Sequence, residues 1–121
     1  MARWGPRPDL PTPYIPECYS HQYIRQLNTK GVDKYSSVSY WKLYNGGTAW
    51  DCLGMNESFK GLYSPIGRMV WQVAGTLKYM LEAGECPMFH CDLHLCNIFV
   101  DFGRDTNLPD FYVGDFGRAK M

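Results

Sequence analysis

Net charge is the first thing this chain lacks. Its 121 residues carry 12 Lys and Arg against 12 Asp and Glu, without the positive excess expected of a nucleic-acid or anionic-membrane binder. Long apolar runs are missing too: none approaches the roughly 20 residues of a membrane span. The opening Met1-Ala2-Arg3-Trp4-Gly5-Pro6 has no apolar core of the kind a signal peptide needs. Five cysteines, Cys18, Cys52, Cys86, Cys91 and Cys96, are an odd number with no secretory context, which argues against a disulfide framework and for reduced thiols. An intracellular protein of cytoplasm or nucleus, with no nucleic-acid or membrane partner, is the expectation. A hydrophobic share of 45% with 20% charged residues fits an ordinary globular domain rather than a disordered chain.

Charge is unevenly placed. Residues 1–60 carry seven basic and five acidic groups, and residues 61–121 carry five and seven. All seven acids of the second half lie between Glu82 and Asp115, with Arg104 the only Lys or Arg among them. Such a cluster is either a solvated face or, where carboxylates converge, a cation site.

Five of the eight prolines fall in the first sixteen residues, so this stretch is expected to be extended, polyproline-like or disordered. Residues 21–28 are weakly patterned, and residues 30–34 read as a turn. Tyr35 to Tyr44, rich in aromatic residues, reads as a strand stopped by Asn45-Gly46-Gly47. Ser64-Pro65 opens the clearest helix. Met69, Val70, Val73, Ala74, Leu77, Met80 and Leu81 give it one apolar stripe expected to face the core, and Gly84 ends it. Ile98–Phe102 and Phe111–Gly114 then read as a hairpin around a loop at 103–110. The fold class is α+β.

The chemistry concentrates in Phe89-His90-Cys91-Asp92-Leu93-His94-Leu95-Cys96-Asn97-Ile98-Phe99 and in Gly114-Asp115-Phe116-Gly117. If Phe102 pairs with Phe111, Ile98 faces Asp115 and Asn97 sits diagonally beside it. Strands about 4.8 Å apart then bring both oxygen-bearing side chains to one end of the hairpin, and the loop holding Asp92 can fold back to the same point. Carboxylate and amide oxygens form a hard donor set suited to Mg²⁺ shared with substrate phosphates. A carboxylate left free of metal can serve as general base.

These residues resemble the protein-kinase signature, a His-x-Asp-Leu-x-x-x-Asn catalytic loop followed by Asp-Phe-Gly. The resemblance implies ATP and Mg²⁺ as cofactors, Asp92 as catalytic base, Asn97 and Asp115 as metal ligands, His90 as a brace and Phe99 under the adenine. Tyr40 to Gly47 is similar to the fifth strand and hinge, where backbone groups of Lys42 and Tyr44 would bond the adenine and Trp41 would be the gatekeeper. The helix from Pro65 resembles the long helix before the catalytic loop, and His21-x-x-Ile24-x-x-Leu27 the segment after the regulatory helix. The resemblance covers about residues 35–118. It implies a proline-rich leader at 1–20, a remnant of the amino-terminal lobe and hinge at 21–55, and the first part of the carboxy-terminal lobe at 56–121. A whole kinase fold needs about 250 residues, near the limit of one core, so a partial kinase-like domain is expected.

Departures shape the expected activity. Cys91 stands where an arginine usually precedes the catalytic aspartate, so control by activation-loop phosphorylation is not expected. His94 stands where serine/threonine kinases carry lysine, and its imidazole could still contact phosphate; the same histidine resembles the aminoglycoside and choline phosphotransferase loop. No Gly-x-Gly-x-x-Gly exists. Lys42 with Glu57 only mimics the phosphate-anchoring pair, being 50 residues before Asp92. The expectation is an ATP- and Mg²⁺-dependent serine/threonine kinase fragment, acting on a protein substrate but inactive as an isolated chain. Open alternatives are a non-catalytic kinase remnant acting as a binding module, a small-molecule phosphotransferase, and a zinc site drawn from Cys86, His90, Cys91, His94 and Cys96.

Overall fold

The computed structural model describes residues 8–27, 29–31, 33–55, 63–103 and 108–121. In chain order its elements are strands β1 (Cys18–Leu27) and β2 (Asp33–Trp41), helices α1 (Ala49–Met55) and α2 (Tyr63–Glu82), a 3₁₀ turn (Leu95–Asn97), and strands β3 (Ile98–Asp101) and β4 (Asp110–Val113). The strands form two antiparallel pairs, β1 with β2 and β3 with β4, so the chain is α+β. Among the described residues no helix is long and apolar enough to cross a membrane. Glu57, residues 1–7 and residues 104–107 of the expected loop fall outside the described residues.

Alternation along β3 and β4 decides what each face does. Ile98, Val100, Phe111 and Val113 are buried on one face, as the two-residue period of a strand requires. Ile98, Val100 and Phe111 join Ala49 and Cys52 of α1 in the core, with Met69, Val73, Leu95 and Phe102 packed around them. Burial pushes the Cys52 thiol pKa up. Phe99 and Tyr112 pair on the opposite face.

The register is shifted by two residues from the expected one. Asp101 pairs with Asp110 and Ile98 with Val113, so Asn97 lies across from Gly114, whose N–H donates to the Asn97 carbonyl at 2.9 Å. The ladder stops at Asp101 because the Phe102 N–H is taken by the Asn45 side chain at 2.8 Å. A slip of two leaves every side chain on its expected face.

The α2 stripe is rotated from its expected position. Val70, Ala74 and Leu81 are exposed, whereas Gln72 and Thr76 are buried with Tyr79, Met80 and Ala83. These polar side chains satisfy backbone that would otherwise be orphaned in the interior. Gln72 Oε1 accepts the Phe111 N–H at 2.8 Å, and its Nε2 donates to Asp110 Oδ1 at 2.9 Å. Thr76 Oγ1 donates to the Gln72 carbonyl and accepts the Tyr14 N–H. Arg68 adds a 2.6 Å ion pair with Asp110 and a bond to the Pro109 carbonyl.

Two elements carried little signal in the sequence. β1 is exposed along all ten residues, so no buried face imposed alternation on it. The β2 strand ends at Trp41, before Tyr44. Residues 45–47 instead lie against β3: Gly46 N–H donates to the Val100 carbonyl at 2.7 Å, and Val100 N–H to the Gly47 carbonyl at 2.9 Å. A Cβ on Gly46 would stand 2.7 Å from Val100, so the close approach needs glycine.

Candidate nucleotide cleft

The segment between β2 and α1, the far face of the β3–β4 hairpin and the turn after β4 surround a cavity of about 790 Å³. That size suits a small ligand. Its walls include Trp41 to Tyr44, Thr48, Asp51, Asn97, Phe99, and Gly114 to Gly117. Of the seven candidate residues, Lys42, Tyr44, Phe99, Asn97 and Asp115 line this cleft together. Asp92 and His94 do not line it; they adjoin it through Asn97.

Tyr44 supports the cleft from behind. Its ring is buried and stacks on Tyr112 with centroids 4.3 Å apart, while its hydroxyl accepts the Glu17 N–H. Tyr14 meets Tyr112 edge-on at 5.5 Å. Enclosure first, then the nearby Asp110, pushes the Tyr112 pKa up to about 12 from 10. The folded state therefore holds this proton more tightly than the unfolded chain. Its stabilising contribution is complete below pH 10 and is lost as pH rises through about 12. Alkaline melts should show the melting temperature falling across that window, and Tyr112→Phe should flatten the fall.

His90 fastens the two motifs. It is 4% exposed, and its Nε2 lies 2.7 Å from the Gly114 carbonyl. Since a carbonyl only accepts, Nε2 carries the hydrogen and Nδ1 is free to accept the Asp92 N–H at 3.2 Å. The ring also packs on Phe116 at 5.1 Å. A second tie closes the same region, with Phe89 and Lys120 exchanging backbone bonds of 2.7 and 2.9 Å. Cys91 (φ 68°) and Asp115 (φ 55°) are the non-glycine residues with positive φ among those described. Such strain, about 1–3 kcal/mol each, collects where function holds backbone out of its preferred basins.

Asn97 connects Asp92 to the cleft. Its Nδ2 donates to the Asp92 carbonyl at 2.8 Å and lies 3.4 Å from Asp92 Oδ2, leaving the amide oxygen without a hydrogen-bond partner among the described residues. His94 caps the 3₁₀ turn, its Nδ1 accepting the Cys96 N–H at 3.2 Å; its Nε2 lies 3.0 Å from Asn97 Nδ2 and 3.8 Å from Asp92 Oδ1.

No protein-family model and no curated protein matches the chain.

Thr48 and Asp51 are cleft residues that the motifs did not reveal. Asp51 N–H donates to Thr48 Oγ1, and the Thr48 hydroxyl donates to Asp51 Oδ2 at 3.0 Å. This reciprocal cap starts α1, and the signal was present as Thr48-Ala49-Trp50-Asp51. Among the described residues no three His, Cys, Asp or Glu side chains converge on one point. His90, moreover, has both nitrogens engaged. The zinc arrangement is therefore not formed.

Proposed function

We propose that the cleft binds a Mg²⁺-nucleotide, as part of a kinase-like domain that directs a γ-phosphoryl group to a serine or threonine hydroxyl of a protein. The observation that carries this reading is convergence: segments around residues 42–51, 97–99 and 114–117 line one cavity, with His90 holding the loop of Asp92 to the strand end at Gly114.

The donor chemistry fits the metal. Asn97 contributes an unengaged amide oxygen and Asp115 a carboxylate, of which one oxygen lies 3.4 Å from the Gly117 N–H. Mg²⁺ commonly takes only one or two protein carboxylates and completes its shell with water and phosphate oxygens. Asn97 Oδ1 and Asp115 would hold it. When bound, the ion would neutralise charge on the phosphate oxygens during transfer.

The chain's own residues supply the rest. Phe99 offers an apolar face for the base, and Lys42 to Tyr44 offer backbone groups along the cleft wall. Asn97 holds Asp92 through its backbone oxygen, leaving a half-buried carboxylate to orient the acceptor hydroxyl and take its proton. The hydroxyl oxygen would then bond to phosphorus as the bond from phosphorus to the nucleoside diphosphate breaks.

One observation favours a second reading, nucleotide binding without transfer. Asp92 and His94 stand outside the cavity lining, and the sequence has no glycine loop to cover phosphates. Calorimetry tests the shared core of both readings. The chain should bind Mg²⁺-ATP, and Asp115→Ala should weaken that binding on the order of 10- to 100-fold, the scale seen when a metal's surroundings are disturbed. Equal, undetectable binding in both proteins would overturn the assignment. Radiolabel transfer to a generic protein acceptor then separates catalyst from binding module.

A further inference from the structure

Away from the cleft, the β1–β2 hairpin carries a second chemical grouping. Its register sets His21 opposite Ser39 and Tyr23 opposite Ser37, and the two-residue period of a strand puts all four on one face. The imidazole spans both serines: Nδ1 lies 2.7 Å from Ser39 Oγ, and Nε2 lies 3.0 Å from Ser37 Oγ. The Tyr23 ring stands nearly perpendicular to it, at 87° with centroids 5.3 Å apart, which restricts the tilt of the imidazole. His21, Ser37 and Ser39 are not among the residues lining the cleft.

Proton counting assigns the roles. A neutral imidazole has one N–H and one lone pair, while a hydroxyl can both donate and accept. One serine therefore donates to the ring as the other accepts from it. Ser37 is exposed and Ser39 half-buried, so an incoming molecule meets Ser37. With the Nδ1 hydrogen donated to Ser39, Nε2 is left to accept from the Ser37 hydroxyl. A nucleophile, a base and a third group that orients the base form the arrangement that activates a serine. The separation of 3.0 Å is within the reach required of a general base.

We propose that Ser37 is a nucleophilic serine that takes the acyl group of an activated ester, with His21 as its base and Ser39 as a positioning residue. A bond forms between Ser37 Oγ and the acyl carbon as the hydroxyl proton passes to His21 Nε2. The ester C–O bond then breaks, and that proton leaves with the departing oxygen. Tyr23, 74% exposed and directly opposite Ser37, offers an apolar surface to the acyl chain, so the substrate class is an ester of an apolar acid. Two features make the step slow. Ser39 is neutral and stabilises the imidazolium less than the carboxylate of a Ser-His-Asp triad does. The face is open to water, which meets the developing oxyanion in place of preorganised donors. The expected product is one lasting acyl-serine, without rapid turnover.

An alkyl fluorophosphonate is the probe, because an activated serine bonds to its phosphorus with loss of fluoride and keeps the adduct. Incubated with the full chain and mapped by peptide mass spectrometry, it should mark Ser37 and leave Ser20, an exposed serine beside His21, unmarked. His21→Gln should slow labelling on the order of 100-fold or more, the scale of general-base assistance. Ser39→Ala should slow it too, and Ser39→Thr, which keeps the hydroxyl, should restore the rate. Comparison of Ser37 with Ser20 in the unaltered chain needs no variant, so it holds whether or not a substitution disturbs the hairpin. Absence of an adduct, equal labelling of Ser20 and Ser37, or a Ser37 rate that His21→Gln leaves unchanged overturns the proposal. Labelling as slow in Ser39→Thr as in Ser39→Ala overturns the part given to Ser39.

Discussion

Phe111→Ala is expected to lower the unfolding free energy by about 3–5 kcal/mol, the range for removing a buried aromatic ring. Phe111 is completely buried and joins β4 to Val100 of β3 and to Ala49 and Cys52 of α1. Its backbone N–H is held by Gln72, so the surroundings are anchored and cannot collapse to fill the void. Domains of this size are stable by only about 5–15 kcal/mol, so the variant should sit near the limit of folding. Urea unfolding followed by tryptophan fluorescence measures the change. A loss below about 1 kcal/mol, the scale of a surface substitution, would mean that the helices and hairpin do not share this core.

Gly114→Ala should damage the cleft more selectively. An added Cβ would collide with Phe99 Cε2 and stand 2.7 Å from Cδ2, so the ring must move. Gly114 itself is tethered on both sides, by its N–H to Asn97 and its carbonyl to His90. Its backbone cannot yield without loosening both motif segments. Overpacking of this kind costs about 1–3 kcal/mol, and nucleotide affinity should fall at least about tenfold, the equivalent of 1.4 kcal/mol. Adding Phe99→Leu removes the obstructing ring and should recover much of the lost stability, but not the affinity if the ring supports the base. Thermal melts and calorimetry on the three variants separate these effects. Unchanged binding in Gly114→Ala would exclude Phe99 from the nucleotide contact.

What was legible in the sequence follows from where burial imposes a pattern. The helix expected to begin at Pro65 after a Ser64 cap is observed from Tyr63, so Pro65 stands in the first turn, where its missing N–H costs nothing. The hairpin after Asn97 was equally readable, since β3 and β4 bury one face and expose the other. The orientation of α2 was not. Gln72 and Thr76 enter the interior to bond Phe111 and Tyr14 backbone, and a sequence cannot distinguish a polar side chain serving distant backbone from one serving water. β1 escaped notice for the opposite reason, having no buried face at all. At the site, the motifs brought out Asn97, Phe99 and Asp115, while Asp51 was masked by a seven-residue helix too short to show periodicity.

Tyr14 has a consequence for the order in which this molecule can assemble. Its N–H bonds Thr76 on α2 and its carbonyl accepts the Val113 N–H from β4, so a residue near one end is secured by two others that lie 62 and 99 positions later. Contacts so distant along the chain close large loops before they return any stabilisation, which slows folding. During synthesis the Tyr14 backbone must therefore wait for both bonds until β4 has been made. A strand made later in synthesis is the one that lets the Tyr14 segment settle.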